Sequence, residues 1–236
     1  MIPLRKSDDL SSWVERSFGH VFTTPALCYA ALTHRSAGSD HNERLEFLGD
    51  SILNCAVARM LFDAHPLADE GALSRLRASL VSGDTLAQIA GDLGLGEHLR
   101  LGQGELKSGG FRRASILADA LEAILGAIFL DAGFDAAAAA VARIIGPKMS
   151  DLPGADALKD PKTRLQEVLQ AGGLALPTYT LTAVGGNPHS QSFTVVCEIP
   201  VFGVAAVGEG ASRRRAEQLA AAKVIDLLPP EIREHL

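Results

Sequence analysis

Residues 115–130 read Ser-Ile-Leu-Ala-Asp-Ala-Leu-Glu-Ala-Ile-Leu-Gly-Ala-Ile-Phe-Leu, with Asp119 and Glu122 the only charges. Nearly all are good helix formers, and a helix that is apolar all round must be covered on every side. The fold therefore has to put this segment at the centre of other helices. The rest of the first 150 residues can supply them. Residues 42–62 contain no Pro and one Gly, Gly49, and predict a long helix. Asp69 or Glu70 opens another, carrying Leu73, Leu76, Leu80 and Val81. Residues 135–145 are Ala-rich and are expected to stop at Gly146-Pro147. Nothing in this half alternates as a strand does.

Residues 151–158, Asp-Leu-Pro-Gly-Ala-Asp-Ala-Leu, read as a linker. The periodicity then changes. Asp160-Pro161 pairs an N-cap with Pro at the first helical position, and that helix runs to Gln170 before Gly172-Gly173. Residues 178–184 put Tyr179, Leu181 and Ala183 on one face of a half-buried strand, and Gly185-Gly186-Asn187-Pro188 reads as a turn. Residues 192–199 and 201–207 are two more strands, and Ser212 caps a helix ending at Pro229-Pro230. Helix, three strands and helix make a small α+β domain with both helices on one face of an antiparallel sheet. The expected architecture is a multidomain chain: an all-α domain at 1–150, a linker at 151–158, an α-β-β-β-α domain at 159–228 and a tail at 229–236.

Composition narrows the function classes. Of 236 residues 47% are apolar and 21% charged, enough for two cores and against disorder. Cys28, Cys55 and Cys197 are odd in number and far apart, so no disulfide framework or zinc pair is expected, and a reducing compartment is. Residues 1–13 have no signal-like apolar run, and no uncharged apolar stretch of about 18 residues predicts a membrane span. The net charge of −6 argues against a generic nucleic-acid binder. The sum hides a division, however. Residues 1–158 hold 14 Lys and Arg against 20 Asp and Glu, whereas residues 159–236 hold 8 of each, with Arg213-Arg214-Arg215 as a basic spot.

Glu43, Glu46 and Asp50 stand at i, i+3 and i+7, on one helical face. Glu43 and Asp50 are roughly 10 Å apart along the axis, too far to share an ion easily, but Glu46 and Asp50 are one turn apart. Asp119 and Glu122 are neighbours on the most apolar helix. Buried carboxylates need partners, and one divalent cation satisfies several, with oxygen ligands favouring Mg²⁺ or Mn²⁺ over zinc. The alternative is a solvated helix face with Arg44 or Arg59 pairing the acids, and the residues alone leave both open. Glu70, in a first helical turn, is explained by the helix dipole. No His follows a Glu by three residues, against a di-iron helix bundle, and no nucleophile elbow or phosphate-binding Gly-Lys-Ser/Thr loop occurs. In the second half, Gly208 and Gly210 allow close approach, Ser212 caps, and Arg213, Arg214 and Arg215 add cations where they oppose the helix dipole. Amides and cations together suit a phosphate, the alternative being a solvated basic turn.

Asn42-Glu-Arg-Leu-Glu-Phe-Leu-Gly-Asp-Ser-Ile52 resembles the hallmark motif of bacterial ribonuclease III. Lys107-Ser-Gly-Gly-Phe-Arg-Arg-Ala-Ser-Ile-Leu-Ala-Asp119 and Glu122 continue the likeness. Asp160-Pro-Lys-Thr-Arg-Leu-Gln-Glu167 and the Ser212 segment resemble the two helices of that family's double-stranded-RNA-binding domain. The likeness runs the length of the chain, in order. It implies a metal-dependent endonuclease at 1–150 that cuts both strands of duplex RNA, leaving 5′-phosphate and 3′-hydroxyl ends with two-nucleotide 3′ overhangs. It also implies a cytoplasmic homodimer joined through the nuclease domain, processing ribosomal RNA precursors and messenger RNA. By resemblance Glu46, Asp50, Asp119 and Glu122 hold Mg²⁺, for which Mn²⁺ can substitute. Asp50 and Glu122 are the catalytic positions, and Glu43 and Glu70 have supporting roles at the cleavage site and subunit interface. Thr163, Gln166 and Glu167 would face one minor groove, His189 the other, and Arg213 and Arg214 the phosphates between. One departure is Glu217, where many such domains are basic; it implies modest RNA affinity, with Arg215 or Lys223 as partial substitutes. A duplex-RNA-binding protein without catalysis would predict loss of some of these six carboxylates, and all are present. A metal-carboxylate oxidoreductase fused to a binding module lacks its Glu-x-x-His element.

Overall fold

The computed structural model describes residues 7–150, 152, 159–187 and 190–233. It divides into two compact units, Met1–Pro153 and Gly154–Leu236. The linker expected at 151–158 lies outside the described residues except for Leu152.

The first unit is helical: α1 Ser7–Phe18, α2 Pro25–Ala31, α3 Glu43–Ala64, α4 Glu70–Leu80, α5 Gly83–Asp92, α6 Gln103–Lys107 and α7 Ala114–Ser150. The central helix is α7, packed by α1 to α5. Every residue from 116 to 128 is buried except Asp119 and Glu122. By length and composition α7 could cross a membrane, but here its apolar surface is the core of a helical body. Burial of Leu121, Ile124, Leu125 and Ile128 stabilises the unit by about 1.5–3 kcal/mol each. Gly133, at φ 81°, breaks α7 into two arms. The stop expected at Gly146-Pro147 does not occur, and the helix continues to Ser150. Pro147 forfeits one backbone hydrogen bond, but it is exposed and follows the buried Ile144 and Ile145, whose packing carries the turn. Asp69 caps α4 by accepting from the Ala72 amide at 2.6 Å, as its sequence predicts. The buried Asp131 carboxylate ties the α1–α2 connection to α7, accepting from the Thr23 and Thr24 amides at 2.8 Å and bonding His20 at 3.0 Å.

The second unit has the helix, three strands and helix read from the sequence: α8 Pro161–Ala171, β1 Thr178–Asn187, β2 Ser190–Ile199, β3 Val204–Gly210 and α9 Arg213–Leu227. A one-turn helix, α10 Pro230–Arg233, follows in what was expected to be tail. The sheet is antiparallel in the order β1-β2-β3. Leu165 and Leu169 of α8, Cys197 and Ile199 of β2, and Ala220, Ala221 and Val224 of α9 form its core. The strands differ from expectation in detail. Gly185, Gly186 and Asn187 are not a turn but pair with Ser192, Gln191 and Ser190. A bulge between Leu181 and Ala183 breaks the alternation, leaving Tyr179 half-buried and Leu181 and Ala183 exposed. The third strand starts at Val204, because Pro200–Phe202 forms a short 3₁₀ turn.

Candidate functional site

α3 and α7 cross at two glycines. A Cβ on Gly49 would collide with the Glu122 carbonyl oxygen, and one on Gly126 with that of Leu45. The backbones therefore touch where the carboxylates project. Glu46 and Asp50 flank Gly49 on α3, and Asp119 and Glu122 precede Gly126 on α7. The helix pair draws the four together electrostatically. Burial, and then the charges of Asp50, Glu46 and Asp119, push the Glu122 carboxyl up to about 7. Burial also raises Glu46, with Asp119, Glu43 and Asp50 adding to it. Asp119 is raised by burial against the opposing pull of His34 and Arg35. Among the described residues no Lys or Arg side chain pairs with any of the four.

The donor set is hard oxygen, partly desolvated and mutually repelling, which suits Mg²⁺ or Mn²⁺. As the side chains stand, no three His, Cys, Asp or Glu among the described residues converge closely enough to hold an ion. Glu46 and Asp119 are half-buried and Asp50 is exposed. Asn54 donates to Asp50 Oδ1 at 2.8 Å and fixes that carboxylate's present direction.

The other predicted carboxylates are placed differently. Arg35 Nη1 donates to Glu43 Oε1 at 3.0 Å, with His41 Nδ1 at 3.7 Å from Glu43 Oε2, which puts Glu43 at the rim of the cluster. Glu70 opens α4 and accepts from Ser74 Oγ at 2.7 Å; it is not among the charges that shift Glu46, Asp119 and Glu122. Neither Arg44 nor Arg59 pairs with the cluster, since Arg59 bonds Asp63 at 2.7 Å. The sequence reading missed His34 and Arg35. An isolated bridge between Thr33 and Arg100, with the His34 amide bonding the Arg100 carbonyl, holds them beside the acids.

In the second unit Gln166 and Glu167 are exposed on α8, Glu167 bonding Lys159 at 2.6 Å. The Thr163 hydroxyl bonds the Asp160 cap at 3.1 Å. His189 lies outside the described residues. Ser212 caps α9 through the Arg215 amide, and Arg213, Arg214 and Arg215 are exposed there. Gly208 and Gly210 do not open space for a ligand: a Cβ on either would strike the backbone of α9 at Ala216, so both serve the packing of β3 on α9. Lys223 is engaged within the fold, donating to the Val207 carbonyl at 2.8 Å.

The two units are similar in sequence to known proteins. A family model described as Ribonuclease-III-like matches residues 24–149, and one described as double-stranded RNA binding motif matches residues 161–228. Ribonuclease 3 of Thiobacillus denitrificans is 56% identical over 212 residues, 90% of this chain and 94% of that protein. Ribonuclease 3 of Aromatoleum aromaticum is 56% identical over 208 residues, 88% and 92% of the two chains. A solved structure of the ribonuclease III nuclease domain from Campylobacter jejuni, described for flexibility in a region involved in dimer formation, superposes with a TM-score of 0.57 at 43% identity. It covers 58% of this chain and 97% of that one.

Proposed function

The chain belongs to the ribonuclease III family, and from that premise we propose that it is a Mg²⁺-dependent enzyme using Glu46, Asp50, Asp119 and Glu122 as its cation site. It is an endoribonuclease with a double-stranded-RNA-binding domain. The finer reading is cleavage of both strands, leaving 5′-phosphate and 3′-hydroxyl ends with two-nucleotide 3′ overhangs. Cytoplasmic ribosomal RNA precursors and other structured RNAs are its substrates. The observation that carries this reading is the crossing at Gly49 and Gly126, which brings four carboxylates within electrostatic reach of one another, with no Lys or Arg among the described residues bonded to them.

The chain's own residues divide the work. Glu46, Asp50, Asp119 and Glu122 would hold Mg²⁺, or Mn²⁺ in its place. When bound, the ion supplies Lewis-acid polarisation of the phosphate and a water of lowered pKa. Glu122 titrates near neutrality, so its carboxyl holds a proton below about pH 7 and gives it up above. Arg35, held by Glu43, offsets part of the negative charge at Asp119. Glu43 thus supports the site by placing Arg35, and Glu70 is assigned a supporting role at the cleavage site and subunit interface. In the second unit Thr163, Gln166, Glu167 and His189 would read minor grooves by shape, with Arg213, Arg214 and Arg215 at the phosphates.

The working form is a homodimer through the helical unit. Along α3 the outer row Phe47, Ser51, Asn54, Cys55, Ala58 and Phe62 leaves Phe47 80% and Phe62 67% exposed. A two-fold axis there gives one cut per strand of an antiparallel duplex.

The test is a gel assay of end-labelled RNA duplex with Mg²⁺, Ca²⁺ or EDTA, with single-stranded RNA and duplex DNA as controls. Discrete cuts in both strands of the RNA duplex with Mg²⁺ alone are expected. A shifted but uncut duplex under every condition would make the chain a binding protein.

A further inference from the structure

One carboxylate in the second unit is enclosed by cations. Glu217, one turn into α9, is only 13% exposed at its side chain. Lys162, in the first turn of α8, donates to its Oε2 at 2.6 Å, and Arg213, in the first turn of α9, donates through Nε to its Oε1 at 2.9 Å. The Lys162 ammonium also lies 4.4 Å from the centre of the Tyr179 ring, which completes its surroundings. Each oxygen of Glu217 thus has a charged donor of its own, and burial in such a pair makes the contacts stronger than at an open surface. The Lys162 hydrogen bond, then that of Arg213, outweighs burial and keeps the carboxyl below the ordinary glutamate range. By contrast, Arg214 and Arg215 have no ion-pair partner among the described residues.

The space between Lys162 and Arg213 is therefore an anion slot lined by side-chain cations from the first turns of two helices. We infer that Glu217 is a built-in counter-ion that fills this slot, competes with RNA phosphate for Lys162 and Arg213, and so sets the duplex affinity of the chain. The inference rests on the duplex-RNA reading of this unit. A phosphate reaching the slot has to displace an internal carboxylate as well as solvent ions. The duplex is then held mainly through Arg214 and Arg215, with fewer counter-ions released than the number of cations on this face would give. Glu217 acts through Lys162 and Arg213, so its effect shows in binding and in salt dependence.

The experiment is fluorescence anisotropy of the full chain with a labelled RNA duplex in Ca²⁺, across about 50–250 mM KCl, for wild type, Glu217→Gln and Glu217→Ala. Gln keeps the shape and one acceptor, and thermal melts check that both variants fold. Tighter binding by on the order of five- to tenfold at low salt is expected, with a log–log salt slope steeper by about one, the effect of one further phosphate contact. Lys162→Ala with Arg213→Ala should cancel the gain in Glu217→Gln. Unchanged affinity and slope in both Glu217 variants would overturn the inference. So would weaker binding, which would make Glu217 a clamp between α8 and α9. Wild type that cuts and binds duplex while Glu217→Gln binds no tighter removes the counter-ion alone; wild type that binds no duplex removes the duplex reading and this inference with it.

Discussion

Glu122 concentrates the electrostatics of the proposed cation site in one side chain. Its carboxyl is raised from 4.5 to about 7, so the fold favours its neutral form. A raised folded pKa contributes stability that is complete below about pH 4.5 and is lost as pH rises through about 7. Above pH 7, without a bound cation, the ionised group opposes folding. Glu122→Gln should therefore stabilise the protein in EDTA at pH 8 by about 1 kcal/mol, allowing for solvent screening of a part-exposed group, or roughly 2–4 °C. At pH 4.5 the two proteins should melt together. Equal melting at both pH values would mean that Glu122 is not desolvated among like charges. For the same reason Mg²⁺, the proposed cofactor, would have to displace a proton, so its apparent affinity, read by calorimetry, should weaken as pH falls below about 7. Glu122→Gln should also lose cutting by on the order of a thousandfold or more while still shifting a duplex on a gel. Full activity in that variant would remove Glu122 from the site.

At the scale of elements, the site exists because two helices touch. Gly49→Ala puts a methyl into the backbone of the facing helix, which has to move, at a cost of about 1–3 kcal/mol or more. Gly91→Ala is the control: it is helical in α5 and exposed, and a Cβ there meets nothing within 4 Å, so it should stabilise by roughly 0.5–1 kcal/mol. Denaturant titration of the two variants measures both, and a harmless Gly49→Ala would refute the close crossing. Sequence periodicity exposes what belongs to one segment: the apolar α7 with two acids, the i, i+3, i+7 face of α3, and the Asp69, Asp160 and Ser212 caps. It does not expose what belongs to pairs of segments. Gly49 and Gly126 are 77 positions apart, and nothing local to either names the other. The bulge after Leu181 is a matter of register against β2, and the placing of His34 and Arg35 depends on a bridge to Arg100. Pro147 misleads because a single lost hydrogen bond is outweighed by the packing of Ile144 and Ile145.

At the scale of the whole molecule, a duplex with two antiparallel strands needs two sites, and one chain carries one set of carboxylates. In the proposed homodimer the outer row of α3, with Phe47 and Phe62 exposed, would supply the means of pairing. Phe47 lies one residue from Glu46 and three from Asp50, so a partner seated on that row would border the cleavage site as well as complete the pair. In a two-fold interface every substitution is made twice, which amplifies its effect. Phe47→Asp with Phe62→Asp should therefore convert a sedimenting dimer to a monomer at micromolar concentration. Duplex binding by the second unit needs no pairing and should persist, with the same salt slope, because its cations lie on α9. Cutting should fall at least tenfold and recover in part at high protein concentration, as mass action restores the pair. A wild type that sediments as a monomer throughout, or a variant that stays dimeric, would put the pairing surface somewhere other than α3. Retained cutting by a monomeric variant would instead show that one set of carboxylates completes the reaction on each strand in turn.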